Sequence, residues 1–120
     1  MKKFLAIALL ACVVSAGCAT TPQSPAQSVY ALKSAYAGGL TIAVAYKKLP
    51  VCGQSAAKLC SSPSVVAQLQ DADNKAAPAI NAAEKSVRTP GFGFNVQTLI
   101  NVANEALVAF LAITAKLQVK

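Results

Sequence analysis

Apolar residues recur along this chain at helical spacing, with no competing stretch at the two-residue period of a strand. Val29, Leu32, Tyr36, Ala43 and Tyr46 share one stripe, with Leu40 and Val44 beside it. Just upstream, Ser24-Pro25-Ala26-Gln27 is a helix start: Ser24 as cap, Pro25 at the first helical position, Gln27 completing a capping box. A first helix is expected from Pro25 to about Leu49, stopped by Pro50. Gly38-Gly39 falls in its middle, where each glycine costs up to about 1 kcal/mol relative to alanine; a kink or a close helix crossing is expected there.

Ser62-Pro63 repeats the cap-then-proline signal and opens a second helix, with Val66, Leu69, Ala76, Ile80, Ala83 and Val87 on one face. Pro78 lies inside it, and an interior proline both lacks an N–H and crowds the preceding turn, so a kink is expected between Asn74 and Pro78. Thr89-Pro90-Gly91-Phe92-Gly93-Phe94 breaks the pattern. Asn95 then caps a third helix in which Val96, Leu99, Ala103, Ala106, Phe110, Ile113 and Leu117 follow a heptad rhythm, widened by Ile100, Leu107, Leu111 and Thr114. A stripe that wide packs on two neighbours. Gln97, Asn101, Asn104 and Glu105 interrupt it, which reads as a bundle helix and not as a membrane span. The fold expected is all-α: a small three-helix bundle over residues 25–120, with kinked helices and one disulfide in the first connection.

The N-terminus follows another logic. Lys2 and Lys3 precede an apolar run from Phe4 to Ala16 broken only by Ser15. A bilayer-spanning helix needs about 20 apolar residues, so this run is too short to be a stable span. A basic start, a short apolar core and small residues at its end describe a secretory signal peptide over residues 1–17.

The end of that run, Val14-Ser15-Ala16-Gly17-Cys18, resembles the lipobox of bacterial lipoproteins. Ser15 stands where leucine is more usual. The resemblance implies cleavage before Cys18, a covalent lipid on that cysteine, and residues 18–24 as a lipidated tether. It implies three acyl chains, and two or more anchor a protein stably. Ala19 follows the cysteine in place of the aspartate that retains such proteins on the inner membrane, which implies the periplasmic face of an outer membrane. Leu9-Leu10-Ala11-Cys12 is a competing match that leaves a very short apolar region, and ordinary cleavage after Ala19 is a further alternative.

Export changes how the other cysteines are read. Cys52 and Cys60 would meet an oxidising compartment, where a disulfide is the expected state. A metal site would need further ligands, and the chain has no histidine and no third cysteine nearby. A redox motif would need two residues between the cysteines. No cofactor is expected beyond the lipid on Cys18.

The whole chain carries +7; without residues 1–17 there remain nine basic residues against Asp71, Asp73, Glu84 and Glu105, a net of +5. That balance allows contact with anionic lipid or another polyanion. The cations are scattered and few aromatics lie among them, which argues against nucleic acid. With no histidine the usual base for a serine or cysteine nucleophile is missing. Asp71 and Asp73, two apart on a helix, diverge and read as a solvated face, as does Glu105 beside Asn101 and Asn104. Tyr30, Tyr36 and Tyr46 read as packing at the edge of the core. An enzyme is not expected.

The remaining expectation is a non-catalytic, membrane-anchored periplasmic protein, an envelope structural or accessory component with a protein partner. The alternative is a phage-derived lipoprotein of superinfection exclusion, lysis or enzyme inhibition. Phe92 and Phe94 are candidates for closing the bundle end or for a docking spot. An acylated cysteine, a heptad helix and the terminal Lys120 together resemble the major envelope lipoprotein of enteric bacteria. That resemblance implies a covalent link from Lys120 to peptidoglycan, although one long helix there is replaced here by three. The bland reading of Lys120 is a cation that suits a helix C-terminus.

Overall fold

The computed structural model describes residues 23–54, 58–89, 91 and 95–118. Among them are three helices and no strand: α1 (Pro25–Lys47), α2 (Pro63–Arg88) and α3 (Val96–Gln118). This is the expected three-helix bundle, with Cys52 and Cys60 joined in the connection from α1 to α2. Lys33 reaches Glu84 and Tyr46 reaches Ser62, so α1 and α2 run antiparallel. Ala31 and Leu32 border Ile100 and Leu107 while Gly39 lies on Phe110, so α1 and α3 run parallel.

The helix starts show where local chemistry sufficed. At α1 the capping box is complete: the Gln27 backbone N–H donates to Ser24 Oγ at 3.3 Å and the Ser24 N–H to Gln27 Oε1 at 3.0 Å. At α3 the Gln97 N–H donates to Asn95 Oδ1 at 2.9 Å. Ser62 departs from expectation. It stands at the cap of α2, but its side chain makes no cap bond and pairs instead with the Ser64 hydroxyl at 2.8 Å. α1 closes at Lys47, slightly before the predicted Leu49, because the chain must turn there into the disulfide loop.

Pro78 does not divide α2, which is helical without a break from Pro63 to Arg88. Pro78 is exposed, whereas Ala76, Ile80 and Ala83 around it are almost completely buried. Packing on both sides outweighs a local penalty of about 3 kcal/mol. Of the two glycines, Gly39 is a close crossing: a Cβ there would lie 2.7 Å from Phe110 Cε1 and 2.8 Å from Leu111 Cδ2. Gly38 faces open space.

The core gathers Val29 and Leu32 from α1, Leu69, Ala72, Ala76, Ile80 and Ala83 from α2, and Ile100, Ala103, Leu107 and Phe110 from α3. In α3 the deepest line runs Ile100, Ala103, Leu107, Phe110, Thr114, and the predicted seam positions Val96, Leu99, Ala106, Ile113 and Leu117 are half-buried at its side. The centre is displaced because α3 packs on both other helices, so the line between them is the one most enclosed. α2 shows a similar shift, with Ala72 and Ser86 buried and Val66 only half-buried. Val44, read as flanking the α1 stripe, is exposed. The buried hydroxyls of α2 and α3 are answered within their own helices, Ser86 donating to the Ala83 carbonyl at 2.7 Å and Thr114 to that of Leu111 at 2.9 Å.

Val96–Leu117 has a mean hydropathy of 1.6 and is long and apolar enough to cross a membrane by length and composition. Its polar residues Gln97, Asn101, Asn104 and Glu105 all lie on the exposed side, and its largest apolar residues face the bundle core.

Candidate functional site

In the connection from α1 to α2, residues 48–54 and 58–62 form a strap held by hydrogen bonds and a disulfide. Ser61 anchors it: its N–H donates to the Pro50 carbonyl at 2.8 Å and its hydroxyl to the Leu49 carbonyl at 3.0 Å. The Cys52 N–H donates back to the Ser61 carbonyl at 3.0 Å, and Val51 and Ser61 form an isolated parallel bridge. Gly53, at φ +85°, supplies the left-handed residue that turns the chain as the Gln54 N–H reaches the Val51 carbonyl. The disulfide closes the strap, with the Cys52 and Cys60 Cα atoms 4.9 Å apart. Tyr46 ties it to α1, its hydroxyl accepting the Ser62 N–H at 2.8 Å. Tyr46, read from the sequence as packing at the edge of the core, is thus also a structural acceptor for the α2 start.

Where the strap meets the ends of α1 and α3 there is a cleft of about 640 Å³. Leu49, Leu59, Val65, Ile113 and Leu117 give it apolar walls, and Lys58 and Lys116 stand among its lining residues. Leu59 is 62% exposed, a large apolar side chain turned outward at this end. Lys47 and Lys48 close α1 at the same end of the bundle. Ion pairs among the described residues lie elsewhere: Lys75 with Asp71 at 2.8 Å, and Glu84 held between Lys33 at 2.8 Å and Arg88 at 2.6 Å.

Those pairs engage Asp71 and Glu84, two of the four acidic groups. The Lys33 ammonium, with Arg88 beside it, holds the Glu84 carboxyl below the usual carboxylate range. Asp71 is exposed as expected. Asp73 is not part of a solvated face: it is half-buried and accepts a short hydrogen bond from the Tyr36 hydroxyl. Burial first, and then the Asp73 carboxylate, push the Tyr36 phenol up to about 12, so it stays a neutral donor at physiological pH. Its ring packs on Phe110 with centroids 5.6 Å apart. Among the described residues no three His, Cys, Asp or Glu gather as a metal site, and no buried side-chain nitrogen or oxygen lacks a partner.

Of the residues singled out in the sequence, Cys52 and Cys60 are brought together. Cys18, Phe92, Phe94 and Lys120 lie outside the described residues, as do the signal peptide and most of the tether. Sequence reasoning missed the cleft, the Tyr36–Asp73 pair and the role of Tyr46. The available signal was an apolar stripe of α1 that carries tyrosines at positions 36 and 46, whose hydroxyls need partners once the ring is covered. Comparison with protein-family models, with curated proteins and with solved structures returns no match to this chain.

Proposed function

We propose that this chain is a non-catalytic lipoprotein of the cell envelope, held by a lipid on Cys18 at the outer membrane with its bundle facing the periplasm, and that it acts by contact with an envelope protein partner. The observation that carries the reading is Val14-Ser15-Ala16-Gly17-Cys18 at the end of a basic-then-apolar leader. The Cys52–Cys60 disulfide supports it, since such bonds persist in oxidising compartments. A role by contact is supported by the polar groups themselves: Asp71, Asp73 and Glu84 are engaged by neighbouring side chains, not gathered around an open reaction site.

Metabolic labelling with a palmitate analogue tests the anchor. Wild type is expected to take up label and to fractionate with membranes, and Cys18→Ser to lose both properties. Label that survives the substitution overturns the assignment of Cys18.

A further inference from the structure

We infer that the strap cleft binds a single-chain anionic amphiphile: one acyl chain ending in a carboxylate or a phosphate. The inference rests on the bundle alone and does not depend on the anchor at Cys18. Three observations carry it. The cleft, at about 640 Å³, falls within the range of about 300–1,000 Å³ typical of small-ligand sites, and its walls are apolar. Among the described residues its cations face no carboxylate partner, because the acids that form ion pairs do so on α2, with Lys33, Lys75 and Arg88. The site is also built in advance, since the disulfide, Ser61 and Tyr46 fix the cleft-lining residues Cys52, Cys60 and Ser62 before anything enters.

Charge and shape together select the occupant. An acyl chain lying on Leu59, Val65, Ile113 and Leu117 leaves water, and the exposed Leu59 becomes covered. Its head group then sits at the rim, where Lys58 and Lys116 act as point charges suited to a carboxylate or phosphate. A neutral amphiphile gains only the first contribution. A zwitterionic head brings its own cation to a rim that is already positive. Lys116 also complements the C-terminal dipole of α3, but Lys58 lies in the strap and outside any helix, so the dipole does not explain its place.

The test uses the full mature chain in an uncharged detergent with diazirine-bearing palmitate, diazirine-bearing lysophosphatidic acid and, as the neutral counterpart, diazirine-bearing hexadecanol. After irradiation, crosslinked peptides are mapped by mass spectrometry. Either anionic probe is expected to label the strap and the C-terminal turns of α3 saturably, and the stronger of the two identifies the head group. Lys58→Glu with Lys116→Glu should lower that labelling roughly tenfold, equivalent to about 1.4 kcal/mol, as two attractions at the rim become repulsions. Lys58→Gln with Lys116→Gln should fall in between, and Lys75→Glu, on the outer face of α2, should leave labelling unchanged. Circular dichroism confirms that each variant is folded. Labelling spread evenly over all three helices overturns the inference. So does equal labelling by hexadecanol, or an equal loss in Lys75→Glu, which would reduce the effect to net charge.

Discussion

Gly39 and Gly38 are neighbours in sequence and opposites in the structure. At Gly39 an added methyl would meet the Phe110 ring and the Leu111 side chain below 3 Å, so the buried ring and its neighbours would have to shift. Overpacking of this kind costs about 1–3 kcal/mol, more than the gain of up to about 1 kcal/mol from alanine in a helix. Gly38 has nothing within 4 Å, so only the helix preference acts there. Gly39→Ala is therefore expected to lower stability in urea unfolding and Gly38→Ala to raise it by about 0.5–1 kcal/mol. Equal shifts of the same sign would refute the close crossing. Tyr36 gives a second prediction at this scale. Its phenol titrates near 10.0 unfolded and about 12 folded, so the unfolded chain releases its proton first as the pH rises. The stability held in this group is complete below about pH 10 and is lost as the pH climbs through about 12. Tyr36→Phe should cost about 1 kcal/mol at pH 8, and the gap between wild type and variant should narrow above pH 10. All other groups are common to both proteins, so the difference isolates Tyr36; a gap that stays constant would show that burial and Asp73 do not shift its phenol on folding.

At the scale of elements, the disulfide loop and the helices contribute separately. Cys52 and Cys60 are eight positions apart, and closing so short a loop stabilises the folded state by about 2–3 kcal/mol in the chain-entropy model. The helical core lies outside that loop, from Val29 to Phe110. Replacing both cysteines by serine should lower the thermal midpoint while the helical circular dichroism at low temperature is kept. An unchanged midpoint would show that Ser61 and Tyr46 hold the strap unaided, and lost helicity would show that the bundle depends on it. The helices themselves were legible because each has a local start and an apolar stripe. Their depth was less legible. Leu107 and Thr114 read as the margin of the α3 stripe and are buried, whereas Ile113 and Leu117 read as its centre and border the cleft. Periodicity gives a face; which part of it lies deepest depends on where the second neighbour packs.

Taken as a whole, the molecule separates two chemistries. The end where α1 begins and α2 finishes carries the Lys33–Glu84–Arg88 cluster, in which opposite charges meet. The opposite end carries Lys47, Lys48, Lys58 and Lys116 beside an apolar cleft. In the proposed envelope protein the tether joins the first end, because α1 starts seven residues after Cys18. The cleft would then face away from the membrane, within reach of amphiphiles or partners in the periplasm. The palmitate label and the crosslinking test are independent. A soluble chain with a saturable cleft and an anchored chain with an inert one are distinct results.

The number of helices, their starts at Ser24 and Asn95, the break after Arg88 and the pairing of Cys52 with Cys60 follow from neighbours in the chain: caps, prolines, apolar spacing and two cysteines in a short loop. The leader and Cys18 are likewise matters of local residue order, and they carry the proposed address. Tertiary structure alone decided that Gly39 and not Gly38 is the crossing, and that Asp73 is covered by Tyr36. It also placed Lys58 and Lys116, 58 positions apart in the chain, beside one apolar cleft. The physical reason is shared by all three. Each outcome depends on which surface of a second helix or strap arrives opposite the residue, and that surface is supplied by a distant part of the chain.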